Sequence, residues 1–185
     1  GDTGNDCVGT CLRQGCKSIV QLELMPAPPL RRAQDNPWPE WPRVLRTDYG
    51  QCEAAAVQGC DPRRFETTVA RVISDGDGKV CAVEAVNVSQ SAGGRMLPVE
   101  GTQRTLPCQL LLVAAGFLGC EQETAGQFGL TLNRRGVPDI SPATHRISPG
   151  LFVAGDMRSG QSLVVRAIAD GRAAAAQAHQ YLMGC

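Results

Sequence analysis

The stretch Val153 to Arg172, VAGDMRSGQSLVVRAIADGR, places an apolar run, a glycine-bracketed acid and a helix start in immediate succession, an order few folds accommodate. Leu151 to Ala154 reads as a short buried strand that stops at Gly155-Asp156, where the C-terminal edge of a sheet can present a carboxylate to a ligand hydroxyl. Gly155 removes a side chain from the approach. Gly160-Gln161-Ser162 then opens a helix whose first N–H groups lack intrahelical partners, so a phosphate or the N1/O2 edge of a reduced flavin can accept from them. The order suits a flavin nucleotide. A helix dipole contributes only about 0.3–1 kcal/mol at a surface, so this unit does not hold FAD alone.

The other end of the chain carries part of a second nucleotide signature. Gly1-Asp2-Thr3-Gly4 supplies the second and third glycines of a G-x-G-x-x-G pattern, without the first glycine or the strand before it. Cys7, Val8, Cys11 and Leu12 fall at helical spacing, Gly15 ends the helix, and Ile19 to Leu24 reads as a strand. This is a βαβ unit lacking its first strand, with Gly1, Asp2, Thr3 and Gly4 as candidate cofactor-binding residues. A glycine turn alone is weak, since it often serves only to bring a helix against a strand. Glu23 strengthens it, lying about twenty residues past the glycines, where such folds place the acid that accepts from adenosine ribose hydroxyls. In isolation a strand glutamate is more often the polar side of a half-buried strand. The acid favours NADH by repelling a 2′-phosphate; Arg31, Arg32 or Arg46 would offset that repulsion, each charge-assisted bond contributing about 1.5–3 kcal/mol.

Between these ends, Met25 to Pro42 is proline-rich with Trp38 and Trp41 set among the prolines, which predicts a long ordered surface loop. The tryptophans most simply anchor that loop to its own domain; exposed indoles would instead mark a partner-binding patch. Thr68 to Ile73 and Lys79 to Val88 flank Ser74-Asp75-Gly76-Asp77-Gly78, a hairpin signal, and Gly93-Gly94 turns into a third strand near Met96 to Val99. Leu110 to Phe117 is apolar throughout and predicts a fully buried parallel strand. It closes in Ala114-Ala115-Gly116, small residues that let backbone approach a nucleotide or a packed helix, so Ala115 and Gly116 join the candidates. In the last helix Ala167, Ile168, Gly171, Ala174, Ala175 and Ala178 make a narrow packing face, with Arg166, Asp170 and Arg172 elsewhere.

Composition removes several function classes. Formal net charge is zero over 185 residues, which leaves no basic excess for nucleic acid or an anionic membrane. The longest apolar run, Leu110 to Leu118, falls short of the about 20 residues of a membrane span. Nine cysteines occur at irregular spacings with no C-x-x-C, so reduced thiols are expected, in the cytoplasm or in the plastid of a photosynthetic eukaryote. Cys7, Cys11 and Cys16 read as small helix residues rather than metal ligands. Neither His145 nor His179 lies beside a Ser or Cys nucleophile motif, and there is no P-loop pattern, so a hydrolase has little support.

The blocks GDTGNDCVGT (Gly1 to Thr10), DNPWPEWPRVLRTDYG (Asp35 to Gly50), LLLVAAGFLG (Leu110 to Gly119) and AGDMRSGQSLVVRAIADGR (Ala154 to Arg172) together resemble the NAD(P)H-oxidising part of glutamate synthase. That part occurs as a small subunit or as the C-terminal region of a single long chain. The Asp35 to Gly50 block is more similar to the NADH-using single-chain type. The resemblance implies an α/β fold of two Rossmann-like dinucleotide-binding domains, three-layered with a small antiparallel β-meander, both incomplete here. Residues 1–119 would be the NAD(P)H-binding domain lacking its first strand, and 120–185 the C-terminal section of the FAD-binding domain. The implied cofactors are FAD and NADH or NADPH, with Gly155 and Asp156 on the FAD ribityl or phosphate region and Gln161, Ser162, Leu163 and Val164 under the isoalloxazine edge. Hydride passage from nicotinamide C4 to flavin N5 needs position rather than a protein acid or base, so no catalytic side chain is expected.

The implied partner is the glutamate synthase large subunit or the N-terminal part of the same chain. It would receive electrons through iron–sulfur clusters and make glutamate from glutamine and 2-oxoglutarate. The family's cluster-binding cysteines and first FAD glycine motif are not in this sequence, which reads as a fragment expected to be inactive and flavin-free alone. Met157 stands where single-chain relatives often carry Cys, and Arg166 where Trp is common. A related NAD(P)H–FAD oxidoreductase of another pathway, or a non-catalytic fragment, are the alternative functions.

Overall fold

The first helix begins at once, because Gly1 and the residues after it turn directly into α1 (Asp2–Arg13), with Gly1 as N-cap and no side chain capping the exposed N–H groups. The structure is a computed structural model that describes Gly1 to Gly184. It divides into two units, Gly1–Ala114 and Ala115–Cys185, a few residues ahead of the expected boundary.

In the first unit, β1 (Gln21–Leu22) and β2 (Arg63–Arg64) run parallel, Gln21 opposite Arg63 and Leu22 opposite Arg64. The pairing extends past both ends through Gln21 N–H to Pro62 O at 2.8 Å and Glu23 N–H to Arg64 O at 2.9 Å. Of the expected Ile19 to Leu24 strand, only this centre forms ladder. The crossover carries α2 (Tyr49–Gln58), a helix absent from the sequence reading. Its signals are local: Asp48 and Gln51 form a capping box, with Gln51 Oε1 accepting the Asp48 N–H at 3.0 Å, and Gly59 closes the other end in a left-handed conformation.

Helices α1 and α2 meet through glycine. A Cβ on Gly50 would stand 2.3 Å from Asn5 O and 2.8 Å from Gly9 N, so no side chain fits there. The buried Asn5 exploits this approach, its Oδ1 accepting the N–H groups of Gly50 at 3.0 Å and Gln51 at 3.2 Å. Two donors that α2 cannot satisfy internally are thereby paired.

Residues 25–48 form the expected loop without regular structure. The tryptophans do not anchor it: Trp38 is 83% and Trp41 73% exposed. Order comes instead from polar groups. Arg32 Nη1 donates to the carbonyls of Asn36 (2.9 Å), Pro37 (3.2 Å) and Glu40 (2.9 Å), while buried Asn36 donates to Glu40 Oε2 and Trp41 O.

The expected hairpin forms as β3 (Thr67–Ser74) and β4 (Val80–Gln90), and the third strand as β5 (Met96–Pro98). A fourth, β6 (Arg104–Pro107), was not expected. Strand β4 is the spine of this antiparallel sheet, pairing with β3 along most of its length, with β6 through Ala82–Ala85 and with β5 through Val88–Gln90. Val83 and Ala85 are buried on one face of β4, and Val86 and Val88 on the other.

Leu110 to Phe117 is not a strand. The last ladder-like bond is Cys108 N–H to Cys81 O at 3.0 Å, and beyond it the segment is irregular, with Val113 84% exposed. A parallel strand is stable only between neighbours, and among the described residues none pairs with this run.

The second unit contains α3 (Gln122–Gln127), β7 (Arg146–Ser148), β8 (Leu151–Phe152), α4 (Asp156–Ser159) and α5 (Val164–Met183). The run from Leu151 enters a short antiparallel pairing with β7 rather than a buried parallel strand, although Val153 beyond it is buried. Helix α5 starts later than expected. Gly160 ends α4, Gln161 and Ser162 lie in a loop, and Leu163 is the extended N-cap. The inward face of α5 comprises Ala167, Asp170, Gly171, Ala174, Gln177 and Ala178, whereas Ile168 and Ala175 are exposed. Asp170 thus lies on the packed face, contrary to the helical-wheel expectation, because polar groups beneath the helix bind it. No helix of the described residues is long and apolar enough to cross a membrane.

Candidate functional site

The first unit brings Glu23 to the start of α1. Its Oε1 lies 3.2 Å from the Gly1 nitrogen and accepts from Gln21 Nε2 at 2.5 Å. Gln21 is itself steadied by Gln51, whose Nε2 donates to Gln21 Oε1 at 3.3 Å. A chain of neutral amides therefore runs from the cap of α2 to Glu23. Only Oε1 is engaged: Oε2 accepts no hydrogen bond among the described residues. Beside it, the N–H groups of Asp2, Thr3 and Gly4 precede the first intrahelical bond, Asn5 N–H to Gly1 O at 3.0 Å.

Of the arginines that would offset a 2′-phosphate, Arg32 is committed to loop carbonyls and Arg46 lies over the Trp41 ring at 4.4 Å. Arg31 is exposed and makes no hydrogen bond or ion pair among the described residues.

In the second unit, Gly155 adopts φ 67 and ψ −142, a region essentially reserved for glycine, and Asp156 follows as the first residue of α4. The Asp156 side chain is exposed and makes no hydrogen bond among the described residues. The turn beneath it is fastened by Asp170. Oδ2 of Asp170 accepts the Gly155 N–H at 2.7 Å, while Oδ1 accepts from Arg158 Nη1 at 2.8 Å and lies 2.9 Å from His145 Nε2. Burial works to raise the Asp170 carboxyl, but the bonds from His145 and Gly155 and the Arg158 charge outweigh it and hold the group below its ordinary value. His145 is only 5% exposed, and its Nδ1 is buried without a partner. Sequence reasoning missed this cluster, since residues separated by whole elements carry no spacing signal.

The remaining candidates fall apart from one another along the chain. Ala115 and Gly116 are exposed in irregular chain rather than at a strand end, and Gln161 and Ser162 precede α5 rather than open it. Leu163 and Val164 do stand at the start of α5, 67% and 70% exposed, with no side-chain cap on the helix. Every described cysteine is a free thiol, and no group of described residues is placed to hold a metal ion.

Comparison with known proteins places these features. "Glutamate synthase [NADH]" of Saccharomyces cerevisiae is 39% identical over 189 residues, which are 99% of this chain and 9% of that protein. "Glutamate synthase [NADPH] small chain" is 38% identical over 190 residues in Bacillus subtilis and 41% identical over 187 residues in Mycobacterium tuberculosis, covering this chain completely. The chain is a homologue of a glutamate synthase segment. It spans 38% and 36% of those two small chains. Glutamate synthases named for either nicotinamide donor match to the same degree, so overall identity does not choose between NADH and NADPH. No protein-family model matches. Among solved structures, FprA from Mycobacterium tuberculosis aligns at a TM-score of 0.52 and 17% identity, covering 77% of this chain and 30% of that one. A second FprA structure, in complex with NADPH, aligns at 0.51 and 19% identity over 68% of this chain and 28% of that one. At such identities the likeness concerns fold, and it agrees with the α/β architecture read from the glycine patterns.

Proposed function

We propose that this chain is the electron-input segment of a glutamate synthase, binding NAD(P)H, with NADH favoured, through its first unit and closing an FAD site with its second. The observation that carries the reading is Glu23, held on Oε1 by the Gln21 amide and the Gly1 nitrogen and left open on Oε2 beside a helix start that no side chain caps. The residues present fit both cofactors. Backbone N–H groups of Asp2, Thr3 and Gly4 suit a pyrophosphate, and Glu23 Oε2 suits a ribose hydroxyl. Gly155 lets backbone approach the ribityl or phosphate region of FAD, Asp156 offers a free carboxylate there, and Leu163 and Val164 offer exposed apolar surface at a helix start. Gln161, Ser162, Ala115 and Gly116 bring no charge to the site.

When bound, NAD(P)H and FAD supply hydride-transfer chemistry. The protein's share is to bind, orient and exclude water, so no side chain acts as acid or base. The partner under this reading is the large subunit, or the N-terminal part of one long chain, where glutamine and 2-oxoglutarate are converted to glutamate and where iron–sulfur clusters are held. In the full-length protein, NADH with glutamine and 2-oxoglutarate is expected to give glutamate, and failure to form it overturns the proposal. Glu23→Ala in the same protein is expected to narrow the NADH/NADPH ratio of kcat/KM; an unchanged ratio removes Glu23 from donor selection.

A further inference from the structure

We infer that Asp170 is a positioning residue for the flavin-binding turn, its carboxylate fixing the Gly155 N–H from beneath and so aiming Asp156 at the cofactor. The inference rests on the proposal that this turn meets FAD. Gly155 sits in a backbone region that costs about 1–3 kcal/mol for most residues, and even glycine needs an external contact to remain in one such conformation. Its N–H has one partner, Asp170 Oδ2 at 2.7 Å. The carbonyl side of the same residue is tied within α4, accepting from Ser159 Oγ and the backbone N–H groups of Arg158 and Ser159. With both sides of Gly155 fixed, the direction of the next residue follows. Asp156 has no side-chain bond of its own, so the backbone sets its aim.

The clamp is also fixed at its base. Arg158 donates Nη1 to Asp170 Oδ1 at 2.8 Å, Nε to Thr144 O at 3.2 Å and Nη2 to Pro142 O, which uses the whole guanidinium edge. His145 closes the other side, its backbone held by Gln177 Oε1 at 2.8 Å and by the Val153 N–H at 2.8 Å. One carboxylate therefore joins α5, α4, the 142–145 loop and the exit of β8. Arg158 further compensates the Asp170 charge, so a second carboxylate at Asp156 faces the ligand without an unbalanced neighbour below it.

The test compares Asp170→Ala, Asp170→Asn, Asp156→Ala and Gln177→Ala in the full-length protein, stripped of flavin and titrated with FAD. The readouts are the FAD dissociation constant, the visible spectrum of bound flavin and the melting temperature. Loss of one charge-assisted bond corresponds to about tenfold or more, so Asp170→Ala is expected to weaken FAD by that factor and shift the flavin band. Asp170→Asn keeps an acceptor for Gly155 and is expected to fall between. Gln177→Ala loosens the same helix without touching the turn, and is expected to lower the melting temperature while FAD affinity stays within about twofold. Equal effects of Asp170→Asn and Gln177→Ala on FAD affinity would reduce Asp170 to a packing role and overturn the inference, as would an unchanged affinity in both Asp170 variants alongside a weakened Asp156→Ala. If Asp156→Ala also binds FAD normally, the flavin reading of the turn fails as well.

Discussion

Glu23 in the first unit and Asp170 in the second are both carboxylates at the foot of a glycine turn, and the chain treats them in opposite ways. Glu23 is supported on Oε1 by the Gly1 nitrogen and by the amide of Gln21, backed by Gln51, and keeps Oε2 free. Asp170 is gripped on both oxygens, by Arg158, His145 and the Gly155 N–H. The difference separates two uses of one functional group. A carboxylate fixed through one oxygen keeps the other for a ligand, whereas one gripped on both becomes part of the scaffold. Asp156 completes the contrast, because its ligand-facing role is supplied by a neighbour's structural one.

The largest effect that would test this contrast is on stability. Asp170→Ala leaves Arg158 and His145 without their shared acceptor and is expected to cost about 3 kcal/mol in denaturant unfolding, whereas Glu23→Ala is expected to cost less than about 0.5 kcal/mol. Equal costs would erase the distinction. Next comes Gly50→Ala, whose Cβ would meet the backbone of Asn5 and Gly9; it is expected to cost about 2 kcal/mol, with amide-exchange protection lost in α1 and α2 but not in α5. Acid should then probe Asp170. A carboxyl whose folded value is depressed contributes stability that is complete above the ordinary carboxylate value and lost as pH falls through the lower folded one. Melting temperature is therefore expected to fall as pH drops below about 4, and Asp170→Asn to flatten that dependence. The smallest effect is Gln21→Ala, which frees Glu23 without removing it and is expected to narrow the NADH preference about two- to tenfold in kcat/KM, corresponding to one neutral hydrogen bond.

Elements fixed by short-range chemistry were readable in the sequence. The Asp-Gly-rich turn gave the β3–β4 hairpin, and the spacing of Cys7, Val8, Cys11 and Leu12 gave α1. Helix α2 was equally local, since Asp48, Gln51 and Gly59 are its caps, and it was missed although the loop reading stopped at Pro42. Leu110 to Phe117 shows the opposite failure. Its composition satisfies a buried strand in every respect, yet ladder bonds require a neighbouring strand that no property of the segment itself provides. At the proposed site, the glycines, Glu23 and Asp156 are the residues that spaced motifs nominate. Asp170 was misplaced because a helical wheel assigns charge to solvent, and only the folded chain reveals Arg158 and His145 waiting beneath it. Gln21 and Gln51 were invisible for a similar reason, being uncharged groups whose importance lies in what they touch.

The loop that carries Trp38 and Trp41 has a spectroscopic consequence. These are the only tryptophans in the sequence, and both indoles stand in water within the first unit, one of them under the Arg46 guanidinium at 4.4 Å. Tryptophan emission is therefore a reporter of this loop, red-shifted in the native protein and little changed when the chain unfolds. The second unit holds no tryptophan; its tyrosine is Tyr181, whose ring packs edge-on against Phe152 at 5.8 Å. A change in indole emission is therefore an event of the first unit, at the loop that carries both indoles.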